Sequence, residues 1–214
     1  LERALQLLTL PRLVGVSLPP ASLARALGDT ADAFTDRMVD LSDVWRRSCV
    51  ERSLARIWDA PTDAHAVAAL SDAVKARTET SRRTSDPRIE VVGRWLGSRG
   101  GPRVDRLVAS LGLSVRQTER LVRKNFGVGP KMLELNYRVL GLSVSAVVGG
   151  AALPEAFEEE ALAGFADQSH YIHTFKRFIG YTPGEYARGH AARERALLTG
   201  RWRAGARTPL TLWS

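Results

Sequence analysis

Apolar positions recur at spacings of three and four along most of the chain, the period of helices with one buried face. Strand signal is confined to Leu13-Val14-Gly15-Val16-Ser17-Leu18, before Pro19-Pro20. Ser22 then caps a short helix that Gly28 ends. Ser42 and Asp43 open a longer helical stretch, Leu41 to Ala60, that carries Val44, Trp45, Leu54, Ile57 and Trp58. Pro61-Thr62-Asp63 opens another, with Val67, Leu70 and Val74 at helical spacing. Thr80 to Asp86 is polar and has no period, which predicts a domain boundary before Pro87. Beyond it the helices are short and closely punctuated. Arg88 to Arg99 carries Ile89, Val92, Trp95 and Leu96 and is broken by Gly100-Gly101-Pro102. Val104 to Leu111 ends at Gly112, Ser114 caps a helix to about Asn125, Gly127 stops it, and Pro130 starts the next. The fold class expected is mostly α, with Trp45, Trp58 and Trp95 in the core.

Charge adds an asymmetry to this picture. The chain has 31 basic and 23 acidic residues, a net charge of +8. Only 12 of the basic and 11 of the acidic residues precede Asp86, so the later part carries +7. A basic half beside a near-neutral one suggests a polyanionic partner.

Self-similarity within the basic half is more specific. The segment Thr118 to Pro130 matches Tyr171 to Pro183 at one constant offset: Gly127 with Gly180, Pro130 with Pro183, and Arg123-Lys124 with Lys176-Arg177. Val122 and Phe126 match the inward Phe175 and Ile179. A short helix ending in Gly precedes each segment, at Leu111-Gly112-Leu113 and Ala163-Gly164-Phe165. Each copy reads as helix, Gly turn, helix, Gly stop and Pro-started helix, the helix-turn-helix pattern. In the first copy Val115, Thr118, Leu121, Val122 and Phe126 face inward, and Arg116, Glu119, Arg120 and Lys124 share the outer face. In the second, Tyr171, Phe175 and Ile179 face inward, with Gln168, Ser169, His170, His173, Lys176 and Arg177 outside.

The run Gly164-Phe165-Ala166-Asp167-Gln168-Ser169-His170-Tyr171, with Phe175-Lys176-Arg177 and Gly180-Tyr181-Thr182-Pro183-Gly184-Glu185-Tyr186, resembles the signature of AraC/XylS-type transcription regulators. Leu111 to Gln117 and Phe126 to Lys131 resemble the matching first unit. The resemblance covers roughly Pro87 to Arg188. It implies two three-helix units joined by a linker helix, here Pro130 to about Val148, whose recognition helices enter successive major grooves of duplex DNA about 34 Å apart. Arg138 stands where the family usually has an Arg. By position, Arg116, Glu119 and Arg120 are the base-contact candidates of the first helix, and Gln168, Ser169, His170 and His173 those of the second. Arg pairs bidentately with guanine, Gln with adenine, and Glu accepts from cytosine. Lys124, Lys176, Arg177 and Thr182 are the phosphate candidates, which position without specifying. Further partners implied are RNA polymerase, a small-molecule effector at the N-terminal region and a second copy of the chain, in the bacterial cytoplasm at the nucleoid.

The organisation expected is residues 1–85 as part of an N-terminal sensor or dimerisation region, 86–190 as the double helix-turn-helix domain, and 191–214 as an Arg-rich tail. Leu13 to Trp45 loosely resembles the end of a small sensor domain. The opening Leu1-Glu2-Arg3-Ala4 has no initiator Met and no signal-peptide pattern, so the chain reads as a fragment or one whose true beginning lies elsewhere. Two departures from the family stand out. Counting back from Gly164 puts Glu159 and Glu160 where the family turns an apolar residue and Ala inward, and burying an unpaired carboxylate is expensive. Gly141, Ser143 and Ser145 lower the helix propensity of the linker. They motivate an alternative function, a protein-interaction module that keeps the fold but has lost specific DNA binding. No phosphate loop, nucleophile elbow or dinucleotide fingerprint occurs, so no enzyme is expected. With one cysteine and four histidines at no ligand spacing, no metal or cofactor is expected, and Cys49 reads as a packing residue. No apolar run approaches the length that spans a membrane.

Overall fold

The computed structural model describes residues 14–16, 18–82, 86–98, 102–148, 159 and 162–190. They are mostly helical, and none of them lies in a strand. Val14 to Val16 and Leu18, expected in a short strand, have irregular backbone instead. The chain divides into two compact units, 1–85 and 86–214.

The first unit holds α1 (Pro20–Leu27), α2 (Arg47–Trp58) and α3 (Asp63–Glu79). Helix α1 starts on Pro20, whose missing N–H is one a first turn leaves unpaired anyway, so Ser22 lies inside the helix and does not cap it. It ends at Gly28, in the left-handed region at φ 79°. The long helix expected from Ser42 opens later. The Asp40 carboxylate accepts the Ser42 N–H at 2.7 Å and folds Leu41–Asp43 into a single 3-10 turn, so α2 begins only after Arg46. Thr62 caps α3 by accepting the His65 N–H. Trp45, Val50 and Val74 form the core, with Leu41 and Leu70 against it. The buried Trp45 indole N–H donates to the Ala26 carbonyl at 2.8 Å, and Arg25 donates to the Thr78 carbonyl at 2.6 Å, tying α1 to its neighbours. Trp58, expected in the core, is 67% exposed at the end of α2. Val67 is also exposed, because α3 turns Ala66, Ala69 and Val74 inward.

The second unit runs α4 (Arg88–Leu96), α5 (Val104–Leu111), α6 (Val115–Phe126), α7 (Pro130–Val148), α8 (Gln168–Ile179) and the single turn α9 (Pro183–Glu185), which continues as a wider π turn over Tyr186–His190. Two side-chain clusters organise it. Val92, Trp95, Leu96, Leu107, Val122, Leu133 and Tyr137 join α4, α5 and α6 to the start of α7. The Trp95 indole N–H satisfies the Arg103 carbonyl at 2.7 Å. Around α8 the packing is aromatic. Phe165, Tyr171, Phe175 and Tyr186 meet edge to face in sequence, with centroids 5.4, 5.8 and 5.6 Å apart.

Helix α7 touches both α6 and α8. Gly141, Leu142, Ser143 and Val144 are all buried within it, so the small residues that lower its propensity sit where it packs. Glu134 and Arg138, one turn apart on α7, are 8% and 7% exposed and paired at 3.1 Å. Arg138 also donates to the Pro102 carbonyl at 3.2 Å, and Lys131 reaches Glu134 at 3.2 Å. The Arg138 guanidinium lies against Gly164, where an added Cβ would stand 2.7 Å away. One side chain thus touches the segment before α5, its own helix and the turn before α8. Glu159, expected to face inward, is exposed, so its carboxylate keeps its water. Glu160, Glu158 and the tail from 191 lie outside the described residues.

Candidate nucleic-acid interface

The repeat in the sequence has a local structural counterpart. Helices α6 and α8 each span 12 residues and begin and end at the same offset as the repeat. Each starts on a side-chain cap. Ser114 accepts the Gln117 N–H, and Gln117 returns to the Ser114 N–H at 3.0 Å, a capping box. Asp167 accepts the His170 N–H at 2.7 Å. Each helix ends on a left-handed glycine, Gly127 at φ 78° and Gly180 at φ 91°. Each is followed by a Pro-started helix, α7 and α9. Thr182 and Glu185 form a second capping box at the latter. Those backbone and hydroxyl hydrogen bonds to Thr182 hold the Glu185 carboxyl below the usual carboxylate range. The turns before the two helices differ. Gly112 is left-handed at φ 61°, whereas Gly164 has no positive φ and lies against the Arg138 guanidinium.

On α6, Arg116, Arg120, Arg123 and Lys124 are all exposed. Arg116 and Arg120 have no hydrogen-bond or ion-pair partner among the described residues. Glu119 sits differently. Its carboxylate pairs with Arg123 at 2.6 Å and packs against the backbone of the buried Gly129, leaving no room there for a Cβ. It therefore joins the end of α6 to the start of α7 as well as standing beside the basic face. Lys124 adds its charge to that of Arg88 in holding the Asp86 carboxyl below its ordinary range, with the hydrogen bond from Arg88 as the largest cause. Val115, expected inward, is 69% exposed. It is the first residue after the cap, where the helix has not yet turned toward its core. Thr118 and Val122 supply the fully buried face.

On α8, Gln168, Ser169, His170, His173, Lys176 and Arg177 are exposed, while Thr174 and Phe175 are buried. Each histidine ring is held from below. His170 Nδ1 accepts the Ala166 N–H at 3.2 Å, and its ring meets Phe165 edge to face at 5.6 Å. In the neutral ring its Nε2 then carries the proton. His173 Nδ1 lies 2.9 Å from the Ser169 carbonyl, a bond only a protonated Nδ1 can donate, so its Nε2 is the acceptor when neutral. The two rings offer opposite hydrogen-bond characters from one face.

The structure thus places the expected residues of each copy on the outer face of its own helix, except Thr182, which caps α9. Arg123 completes the cationic row of the first, and its match to Lys176 in the repeat is the signal that marks it. Glu134 and Gly129 had no such signal, because neither contact follows from the match between the two copies. Among the described residues no group of three or more His, Cys, Asp or Glu is placed to hold a metal ion, and no helix is long and apolar enough to cross a membrane. No family model, curated protein or solved structure matches this chain.

Proposed function

We propose that the C-terminal unit binds duplex DNA sequence-specifically and that the protein is a transcription regulator of the AraC/XylS type. The observation that carries this reading is the pairing of α6 and α8: two helices of equal length, capped and stopped alike, each with a buried face and an unburied row of bidentate or cationic side chains. In this reading the two helix-turn-helix units dock on phosphates through Lys124, Lys176, Arg177 and Thr182, and then read base edges in successive major grooves. Arg116 and Arg120 read from the first helix, and Gln168, Ser169, His170 and His173 from the second. Glu119 holds Arg123 in place and accepts from cytosine only if that pair opens. The linker α7 sets the spacing between the helices. The first unit is a companion domain for an effector or a second copy, and the site of action is the nucleoid.

Selection from a random duplex library at physiological salt tests the reading. The expected result is an enriched motif in two parts about one helical turn apart. Arg120→Ala should then weaken binding to that motif by about 1–3 kcal/mol and relax one base position. Equal loss on every sequence would assign Arg120 to phosphate alone. A folded protein that enriches nothing would overturn the reading in favour of a protein-interaction module.

A further inference from the structure

The first unit contains a groove between α2 and α3 that the DNA reading does not use. Its volume is about 680 Å³, within the range of small-molecule sites. Arg46, Arg52 and Arg56 reach it from α2 and the residue before it, and Arg77 from α3. Asp72 is the lone carboxylate among the lining residues. Its contact with Arg56 is 3.8 Å long with both partners well exposed, a pair worth little in water. Among the described residues Arg52 hydrogen-bonds only to the Cys49 sulfur, at 3.7 Å, and Arg46 has no ion pair. Arg52 and Arg56 are one turn apart, a spacing at which like charges repel. The unit as a whole is nearly neutral, so four arginines against one carboxylate in this lining are a local excess of positive charge. The floor is apolar: Val44, the ring of Trp45, Ala73 and Ala76.

From this geometry we infer that the groove binds a small organic anion, a phosphate or carboxylate carried on an apolar body. The headgroup meets the guanidinium fork of Arg52 and Arg56, with Arg46 beside it. The body lies on Trp45 and the two alanines. Arg77 is held for this arrangement by donating its Nε–H to the Ala26 carbonyl at 3.2 Å, the same carbonyl that Trp45 uses. The inference is independent of DNA binding, since every residue involved belongs to the first unit.

Titration calorimetry of the full chain with 1-naphthyl phosphate, and separately with inorganic phosphate, tests it. The naphthyl ester should bind more tightly than the inorganic ion and should shift the Trp45 indole N–H resonance. Arg52→Gln/Arg56→Gln removes two exposed charges and should weaken naphthyl phosphate binding by about ten- to a hundredfold while the helical circular dichroism stays unchanged. Asp72→Asn should act the other way, tightening it roughly two- to fivefold. An unfolded or merely loosened groove would not produce that opposite sign. Equal affinity for the two phosphates, or no response to either variant, would overturn the assignment. So would loss of duplex affinity in the double variant as large as its loss of naphthyl phosphate affinity, which would make these arginines part of a nucleic-acid surface. Failure of the protein to bind any duplex leaves the expected calorimetric results unchanged.

Discussion

The two copies of the repeat share their ends and differ in their insides. Both helices start on a polar cap and stop at a left-handed glycine, yet α6 rests mostly on aliphatic side chains, with Trp95 and Tyr137 among them, and α8 on a run of edge-to-face rings. The same local rules can therefore be kept while the core chemistry changes. A cap and a glycine stop set where a helix begins and ends, whatever lies beneath it. What lies under the helix only has to fill volume and satisfy its polar atoms. The difference predicts unequal tolerance. Aliphatic contacts are many and interchangeable, whereas a chain of rings depends on each centroid.

The sharpest test of that contrast is Phe175→Ala. Phe175 is 1% exposed and touches both Tyr171 and Tyr186. Its removal should cost about 3–5 kcal/mol. Hydrogen exchange should show the loss concentrated in α8 and α9, with the amides of α4 and α5 still protected. Uniform loss across the second unit would mean that the two clusters melt as one. Cutting the link between them is the next step down. Arg138→Met leaves the buried Glu134 with only the exposed Lys131 as a partner and should cost about 2–4 kcal/mol by chemical denaturation. Adding Glu134→Leu should return most of that loss, since an apolar pair of similar volume needs no desolvation. If the double variant is no better than the single, the guanidinium against Gly164 matters more than the charge pair.

Tyr137 extends the comparison to high pH. It lies in the aliphatic cluster at 5% exposure, and burial alone pushes its phenol up to about 12 from a usual 10. The neutral phenol is thus favoured in the folded state. Its contribution is fully present below pH 10 and is lost as pH rises from about 10 through 12. A tenfold change in an acid constant is worth about 1.4 kcal/mol, so the loss is roughly 2–3 kcal/mol. Tyr137→Phe should flatten that alkaline decline. A decline of the same size without Tyr137 would assign it to other groups.

The outer faces of both copies are legible in the sequence because helical period and repeat offset act on neighbouring residues. Arg116, Arg120, His173 and Arg177 all emerge where counting by three and four places them. Contacts between distant residues are not legible. Nothing near Arg138 announces that its guanidinium, paired with Glu134 one turn away, also rests on Gly164. In the first unit α2 starts later than the pattern predicts: Asp40 caps a separate 3-10 turn over Leu41–Asp43, and the helix opens only after Arg46. Trp58 escapes the core because hydrophobicity alone does not say which turn of a helix runs out of partners. Glu159 is exposed, so the count back from Gly164 does not carry its carboxylate into the core.

The smallest effect distinguishes the two caps. Ser114 and Asp167 hold equivalent positions, but Ser114 has a reciprocal partner in Gln117, and Asp167 brings a charge to the positive end of its helix. Either residue changed to Ala should cost about 1 kcal/mol, within a range of roughly 0.5–2. The two losses should respond differently to salt. Ser114 is uncharged, so Ser114→Ala should cost the same at low and high ionic strength. Asp167 brings a charge to the helix end, which salt screens, so the Asp167→Ala penalty should shrink at high salt. Thermal melts of both variants at the two ionic strengths read the difference directly. A salt-independent penalty at both sites would mean that the hydrogen bond alone caps α8. Charge would then add nothing at the N-terminus, and the two copies would be equivalent at their starts as well as at their stops.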